Sequence, residues 1–367
     1  MRRKILLMAG FSLILLVMCQ AGYSDDSEPN GIVGATSVSS HMLDGIEAAN
    51  LTYVAAVDQI AVCGKTRGGK GPPHGVEIRL ISSKDMSLVW QIKIQKQGCI
   101  GLSNSSSGKT LVAYCLNEKL METIHVYDLT PGGLSVKQKE ISKGLVFANP
   151  HTHTDAKCVI AFLEDGGTVL QAVDVLDDKM PRAVDTEWEY LSLSPAVVSH
   201  QGTRIAIGRH WRGKAEFTLG IWELSGEQLR VVTLPDAGSV SAVGFSPDGS
   251  AVVTGTSVGK VHVWKVKNDS PITEREFELP TSYAGRKISD VRFSSDSRFI
   301  TAKVGMHRIV GWDTDTAKIR FVIYHKFLNG YTWLDRPDAI ATVGDETNGH
   351  SELKVWKLSS GDGEQTK

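Results

Sequence analysis

Long apolar runs are nearly absent from this chain of 367 residues. Only Ile5 to Met18 runs for 14 mostly apolar residues without a charge, which excludes a multi-span membrane protein. Neither sign of charge dominates: 40 Lys and Arg face 41 Asp and Glu, for a net charge of −1. No chain-wide basic excess therefore points to nucleic acid as a partner. Aromatics are few, at 7%. Cysteines number five, and none has a His and an Asn at the spacing a catalytic thiol uses. What is present is ordinary globular material: 41% hydrophobic, 22% charged and 36 glycines. That balance excludes disorder and fibrous structure, and it predicts a body rich in strands and turns.

The N-terminus has the layout of an export signal. Arg2, Arg3 and Lys4 precede the apolar run, and Cys19-Gln20-Ala21 follows it. Small residues at 19 and 21 predict cleavage after Ala21, giving a signal peptide over 1–21. The alternative is a lipoprotein signal, with Leu16-Val17-Met18-Cys19 as its box and Cys19 as the acylated residue. Residues 22–31 read as an acidic linker, carrying Asp25-Asp26-Ser27-Glu28. The mature protein is thus expected outside the cytoplasm, secreted, periplasmic or lipid-anchored at a cell surface.

One short pattern then recurs: alternating β-branched residues, an aromatic, a polar residue and an aliphatic. It appears as Leu219-Gly220-Ile221-Trp222-Glu223-Leu224 and Val261-His262-Val263-Trp264-Lys265-Val266. It returns in Ile309-Val310-Gly311-Trp312-Asp313 and Leu353-Lys354-Val355-Trp356-Lys357-Leu358. Ile124-His125-Val126-Tyr127-Asp128-Leu129 substitutes Tyr for Trp, and weaker copies centre on Val173 and Ile81. Successive anchors lie 42 to 49 residues apart, so seven units fill residues 50 to 360. Each unit reads as four strands broken by turns such as Ser246-Pro247-Asp248-Gly249 and Ser294-Ser295-Asp296-Ser297.

On these residues the chain resembles the WD-repeat family over residues 32–359. A TolB-like propeller is the nearest rival, because its units use Phe-Ser-Pro-Asp-Gly turns too. The resemblance implies an all-β, seven-bladed β-propeller of four-stranded antiparallel blades. Tyr127, Trp222, Trp264, Trp312 and Trp356 would be the blade anchors, on strands third from the axis. The family's Gly-His dipeptide and its paired turn Asp are missing, and Val258 sits about where that Asp would fall. The family's hydrogen-bonded side-chain tetrad is therefore expected to be absent, with blades resting on apolar packing. The seventh unit ends at Leu358 without an outer strand, and residues 360–367 read as a polar tail. Ile32 to Met42 is expected to supply that strand and close the ring.

Several chemical motifs lie on this frame. Gly108-Lys109-Thr110 and Gly64-Lys65-Thr66 lack the upstream Gly of a phosphate loop, having Ser103 and Gln59 there. His151-Thr152-His153-Thr154-Asp155 offers metal-ligand types but aligns with a surface turn, so no metal and no cofactor is expected. Cys99 and Cys115 lie on the two arms of one hairpin, which makes a disulfide between them a candidate. Asn50-Leu51-Thr52 and Asn104-Ser105-Ser106 are glycosylation acceptors in a eukaryotic host. Innermost strands are mostly apolar or small, with Asp290 and Arg292 as exceptions.

The remaining signal is basic. Lys65, Arg67 and Lys70 stand in one long loop between a second and a third strand; Arg209, His210, Trp211, Arg212 and Lys214 stand in another. His307 and Arg308 add to the same face, and a Trp flanked by Arg has the composition of a binding hot spot. The sequence thus predicts a non-enzymatic, monomeric scaffold. It would hold a protein or an anionic polymer on the face made by second-to-third strand loops. The alternatives are a structural part of a cell-surface assembly, or a propeller enzyme with its site at the channel mouth.

Overall fold

The structure is a computed structural model. It describes residues 34–66, 75–95, 97–104, 108–117, 122–130, 133–139, 151–153, 157–163, 169–174, 182–185, 195–209, 217–223, 228–234, 238–266, 275–345 and 350–359. Two units are distinguished. Met1–Gly31 lies wholly outside the described residues, and with it the signal peptide expected from sequence and Cys19. Everything below concerns Ile32–Lys367.

Strands are short and numerous because β-branched runs alternate with Gly, Asp, Ser and Pro turns. Strand β1 (Ala35–Leu43) is followed by β2 (Ile46–Val54), β3 (Gln59–Thr66), β4 (Gly75–Ser82) and β5 (Leu88–Gln95). Next come β6 (Gln97–Asn104), β7 (Thr110–Asn117), β8 (Glu122–Thr130) and β9 (Gly133–Lys139). Then follow β10 (His151–His153), β11 (Lys157–Leu163), β12 (Val169–Asp174) and β13 (Arg182–Asp185). The series continues with β14 (Ala196–Val198), β15 (Arg204–Arg209), β16 (Phe217–Glu223) and β17 (Gln228–Leu234). After these stand β18 (Val240–Phe245), β19 (Ala251–Thr256), β20 (Val261–Lys265) and β21 (Arg275–Phe277). The last are β22 (Ile288–Phe293), β23 (Phe299–Val304), β24 (Arg308–Asp313), β25 (Ile319–Tyr324), β26 (Leu328–Trp333), β27 (Ala339–Asp345) and β28 (Ser351–Leu358).

These strands form four-stranded antiparallel sheets: β2 to β5, β6 to β9, β10 to β13, β14 to β17, β18 to β21, β22 to β25, and β26-β27-β28-β1. The arrangement is that of a β-propeller. The expectation of seven blades is corrected to six blades about the axis. Six of the sheets have described side chains, and the first strands of those six surround one cavity. The β10 to β13 sheet is a hydrogen-bonded ladder, and none of its side chains is among those described.

The ring is fastened by the two ends of the chain. β1 pairs antiparallel with β28, from Ala35 opposite Leu358 to Leu43 opposite Ser351. The pairing segment starts three residues later than Ile32 and reaches one residue past Met42. Ser359 N donates to Gly34 O at 2.8 Å, extending the ladder beyond both strands. Leu43 is fully buried with Ile46, Leu51, Val343 and Leu353, so β1 contributes apolar contacts as well as backbone bonds.

Between blades the core is aliphatic with one aromatic per repeat. Tyr127, Trp222, Trp264 and Trp312 are buried, and Trp356 is half-buried. The expectation that the blades rest on apolar packing is amended at two of these anchors, whose indoles also bond a threonine. Trp264 Nε1 donates to Thr254 Oγ1 at 2.9 Å, and Trp356 Nε1 donates to Thr342 Oγ1 at 2.8 Å. Thr342 Oγ1 also lies 2.7 Å from His325 Nδ1, so a His–Thr–Trp relay crosses the blade that β1 closes. Trp312 has Ala302 where Thr254 and Thr342 stand, and its indole donates instead to the Glu278 carbonyl at 2.9 Å.

The first strands converge tightly on the axis. A Cβ on Gly244 of β18 would stand 2.7 Å from the Val291 carbonyl oxygen of β22. Only a glycine lets these two backbones approach so closely. At the outer end of each strand the Asp turns are self-capping. Asp248 Oδ1 accepts from Ser246 Oγ at 2.6 Å and Ser250 N at 3.0 Å. Asp296 Oδ1 accepts from Ser294 Oγ at 2.7 Å and Arg298 N at 3.1 Å.

Candidate functional site

Two places offer chemistry, at opposite ends of the blades. The first is the cavity on the axis, with a volume of ≈ 420 Å³. It opens where the first strands end and turn into the second, so Thr52, Asn104, His200, Phe245, Arg292 and Trp333 share its wall. Its sharpest feature is the pair noted from sequence. Arg292 Nε and Nη2 both donate to Asp290 Oδ2, at 3.1 and 2.8 Å. The guanidinium lies over the Tyr331 ring, 4.9 Å from its centroid. Lys303 stands behind this pair and donates to the Asn329 carbonyl at 3.1 Å. Burial pulls the Lys303 ammonium below its ordinary pKa, and the Arg292 charge pulls the same way. Burial and the Asp290 charge push the Tyr331 phenol upward. The cavity thus presents an ion pair clamped on an aromatic, with Thr52 donating to Asn104 Oδ1 at 2.5 Å across the wall. Asn50 and Asn104, the two glycosylation acceptors read from sequence, both line this cavity.

The second place is the face of second-to-third strand loops. Lys65 is exposed there, at the end of β3. Arg67, Lys70, His210, Trp211, Arg212 and Lys214 lie outside the described residues, as does the side chain of Arg209. Arg308 is corrected. It is only 3% exposed, and its guanidinium lies 4.9 Å from the Tyr283 ring centroid and 5.4 Å from that of Tyr324. It packs the blade and does not face a partner. His307 is half-buried, stacked on Tyr324 at 5.8 Å and tilted against Phe327 at 5.1 Å.

Sequence reasoning missed three apolar residues on this same face. Val258, Met306 and Phe327 expose 44%, 51% and 39% of their surface. Val258 and Met306 tip the second-to-third turns of two adjacent blades, each beside a glycine of positive φ (Gly259, 86°; Gly305, 61°). That pairing was the available signal: an apolar residue at the tip of a glycine turn has no core to enter.

The cysteines also differ from expectation. Cys99 and Cys115 are opposite each other in the β6–β7 ladder, beside a bulge between Cys99 and Gly101. Cys115 is nevertheless a buried thiol, pushed up to about 12 by burial, and the disulfide of this structure involves Cys63. The bonded partner of Cys63 lies outside the described side chains. His151 to His153 is strand β10 and not a turn, and its side chains are likewise outside the described set. Among the described residues no cluster of His, Cys, Asp or Glu is arranged to hold a metal.

The fold defines a β-propeller. Compared with models of protein families and with curated proteins, the chain matches none.

Proposed function

We propose that this chain is an exported, non-enzymatic binding scaffold of the WD-repeat type. Its ligand would be a protein or an anionic polymer, held on the face of second-to-third strand loops. The observation that supports this reading is the concentration of exposed apolar and cationic side chains on rigid hairpin tips of that face. Val258, Met306 and Phe327 stand there with Lys65, while the blades behind them are packed. A ring of antiparallel sheets presents such tips with little conformational freedom, and preorganised contacts lose less entropy on binding. Lys65, Arg67 and Lys70 would meet one part of the ligand and Arg209, Arg212 and Lys214 another, with Trp211 as an apolar anchor.

Affinity capture from the exported fraction tests this, with wild type beside Trp211→Ala and Arg209→Glu/Arg212→Glu. Truncating the Trp should weaken capture by about 2 kcal/mol. Charge reversal should slow association most at low salt. Equal capture by all three forms would remove these loops from the function. Mass spectrometry of the mature N-terminus tests export: Gly22 at the terminus supports ordinary cleavage, and a lipidated Cys19 supports the anchored form.

A further inference from the structure

We propose that Val258, Met306 and Phe327 anchor a docking surface for an acidic polypeptide segment that carries an apolar side chain. The inference deepens the reading above, on which it rests, by naming the partner's chemistry and a second set of contacts.

The three residues stand on neighbouring turns that backbone contacts link in series. Gly259, next to Val258, packs on the Arg286 backbone, where an added Cβ would stand 2.9 Å from the Arg286 carbonyl oxygen. Gly305 N donates to Lys287 O at 3.1 Å, which joins that connector to the Met306 turn. Leu328 N donates to Met306 O at 2.7 Å, and His325 N donates to His307 O at 2.8 Å. The Met306 turn is thereby joined to the segment that carries Phe327. Backbone bonds hold each of these turns in place.

Phe327 is the most informative of the three. Its φ is 43°, in the left-handed region that a bulky residue seldom occupies. Both of its backbone groups are tied. Its N–H donates to His307 Nδ1 at 2.9 Å, and its carbonyl accepts from Asp345 N at 3.2 Å. A strained backbone thus holds an aromatic ring that rests on His307 and keeps 39% of its surface exposed. Strain of this kind gathers where a side chain must be presented.

Charge selects the occupant. Arg286, Lys287 and Lys326 border the strip, and the Lys326 ammonium lies 5.9 Å from the Phe327 ring centroid. Among the described residues, two carboxylates near the strip are engaged. Glu276 pairs with Lys260 at 3.5 Å, and Asp345 accepts from Asn329 Nδ2 at 2.9 Å and Ser351 Oγ at 2.6 Å. Cations around exposed apolar tips suit carboxylates flanking an apolar side chain. A sulfated or uronic polysaccharide would meet the cations and leave Phe327, Met306 and Val258 without a counterpart.

The test is selection of short displayed peptides on the full-length mature protein, followed by titration of the selected peptides. Poly-glutamate and dextran sulfate serve as purely anionic probes. Selected sequences should combine Asp or Glu with Trp, Phe, Leu or Met. Phe327→Gly should weaken their binding by about tenfold or more, while its melting temperature holds or rises because glycine relieves the left-handed strain. Lys287→Glu/Lys326→Glu should weaken them mainly at low salt. Undiminished binding by Phe327→Gly would overturn the proposal, as would poly-glutamate or dextran sulfate binding as tightly as the selected peptides. If ligands are lost with Trp211→Ala but not with Phe327→Gly, this surface fails while the scaffold reading stands. If the wild type holds neither peptides nor polymers, both fail.

Discussion

Trp356 Nε1 and His325 Nδ1 meet the same oxygen, Thr342 Oγ1, at 2.8 and 2.7 Å. Trp356 can only donate, so the Thr hydroxyl accepts from it, and the direction of its bond to His325 Nδ1 follows the imidazole tautomer. Thr342 is fully buried. Thr342→Val keeps the shape and removes both bonds, leaving the indole N–H and the imidazole without this partner. Chemical denaturation should show a loss of about 1–3 kcal/mol. A loss near zero would mean that the relay is incidental to packing.

The same relay predicts a pH dependence. Burial, with the Lys354 charge, lowers His325 from 6.5 to about 4. The unfolded chain therefore binds a proton between about pH 6.5 and 4 that the native state refuses. Stability from this group is complete above pH 6.5, falls as pH drops toward 4, and levels off below. Its full size is roughly 3 kcal/mol by the linkage relation. Urea midpoints at pH 7 and pH 4.5 should differ less in His325→Gln than in the wild type. An identical difference would exclude His325 as the source.

How much was legible in the sequence can be judged from these residues. Trp222, Trp264, Trp312 and Trp356 were readable because a large aromatic at a fixed period marks the core side of a repeated strand. The need for an N-terminal strand was readable from the missing outer strand after Leu358. His325 was not, because it precedes Lys326 and Phe327 with no Gly beside it, and only the register against Thr342 reveals it. Arg308 looked like a surface cation. Its burial depends on Tyr283 and Tyr324, which arrive from elements outside its own strand. The disulfide was misread because opposite Cα positions do not decide which sulfurs meet.

The Asp290–Arg292 pair gives a third prediction. Its side chains keep 22% and 31% of their exposure, so the channel screens them in part. Asp290→Ala should cost about 1–3 kcal/mol, since Arg292 and Lys303 would then face the Tyr331 wall without a carboxylate. Asp290→Ala/Arg292→Met should cost less than the two single changes added. Strict additivity in thermal melts would show that the two groups act independently.

Cysteine chemistry gives the fourth. A non-reducing peptide map should find Cys63 in a disulfide and Cys115 as a thiol. With its pKa near 12, Cys115 should resist alkylation at pH 8 until the protein unfolds. Reduction should lower stability by about 2–4 kcal/mol. Rapid alkylation of Cys115 in the native protein would contradict its burial.

Removing the closing strand gives the last. Deleting residues 22–45 strips β28 of its partner and exposes the apolar cluster around Leu43. That should cost several kcal/mol, a large part of an ordinary domain's stability. An unchanged melting temperature would mean that the ring does not depend on β1.

The meeting of β1 and β28 also sets a timetable. Ala48 N donates to Ser351 Oγ at 2.7 Å across a sequence separation of 303, so the first ordered strands wait for the last. During synthesis β1 is an open edge until β28 emerges, and the closing contacts are among the most non-local a chain of this length can form. Such contacts slow folding and lengthen the time an unpaired edge is exposed. A chain cut short by premature termination before Ser351 never acquires the clasp. It would be recognised by quality-control proteases through that unpaired edge, whatever the state of the blades already formed.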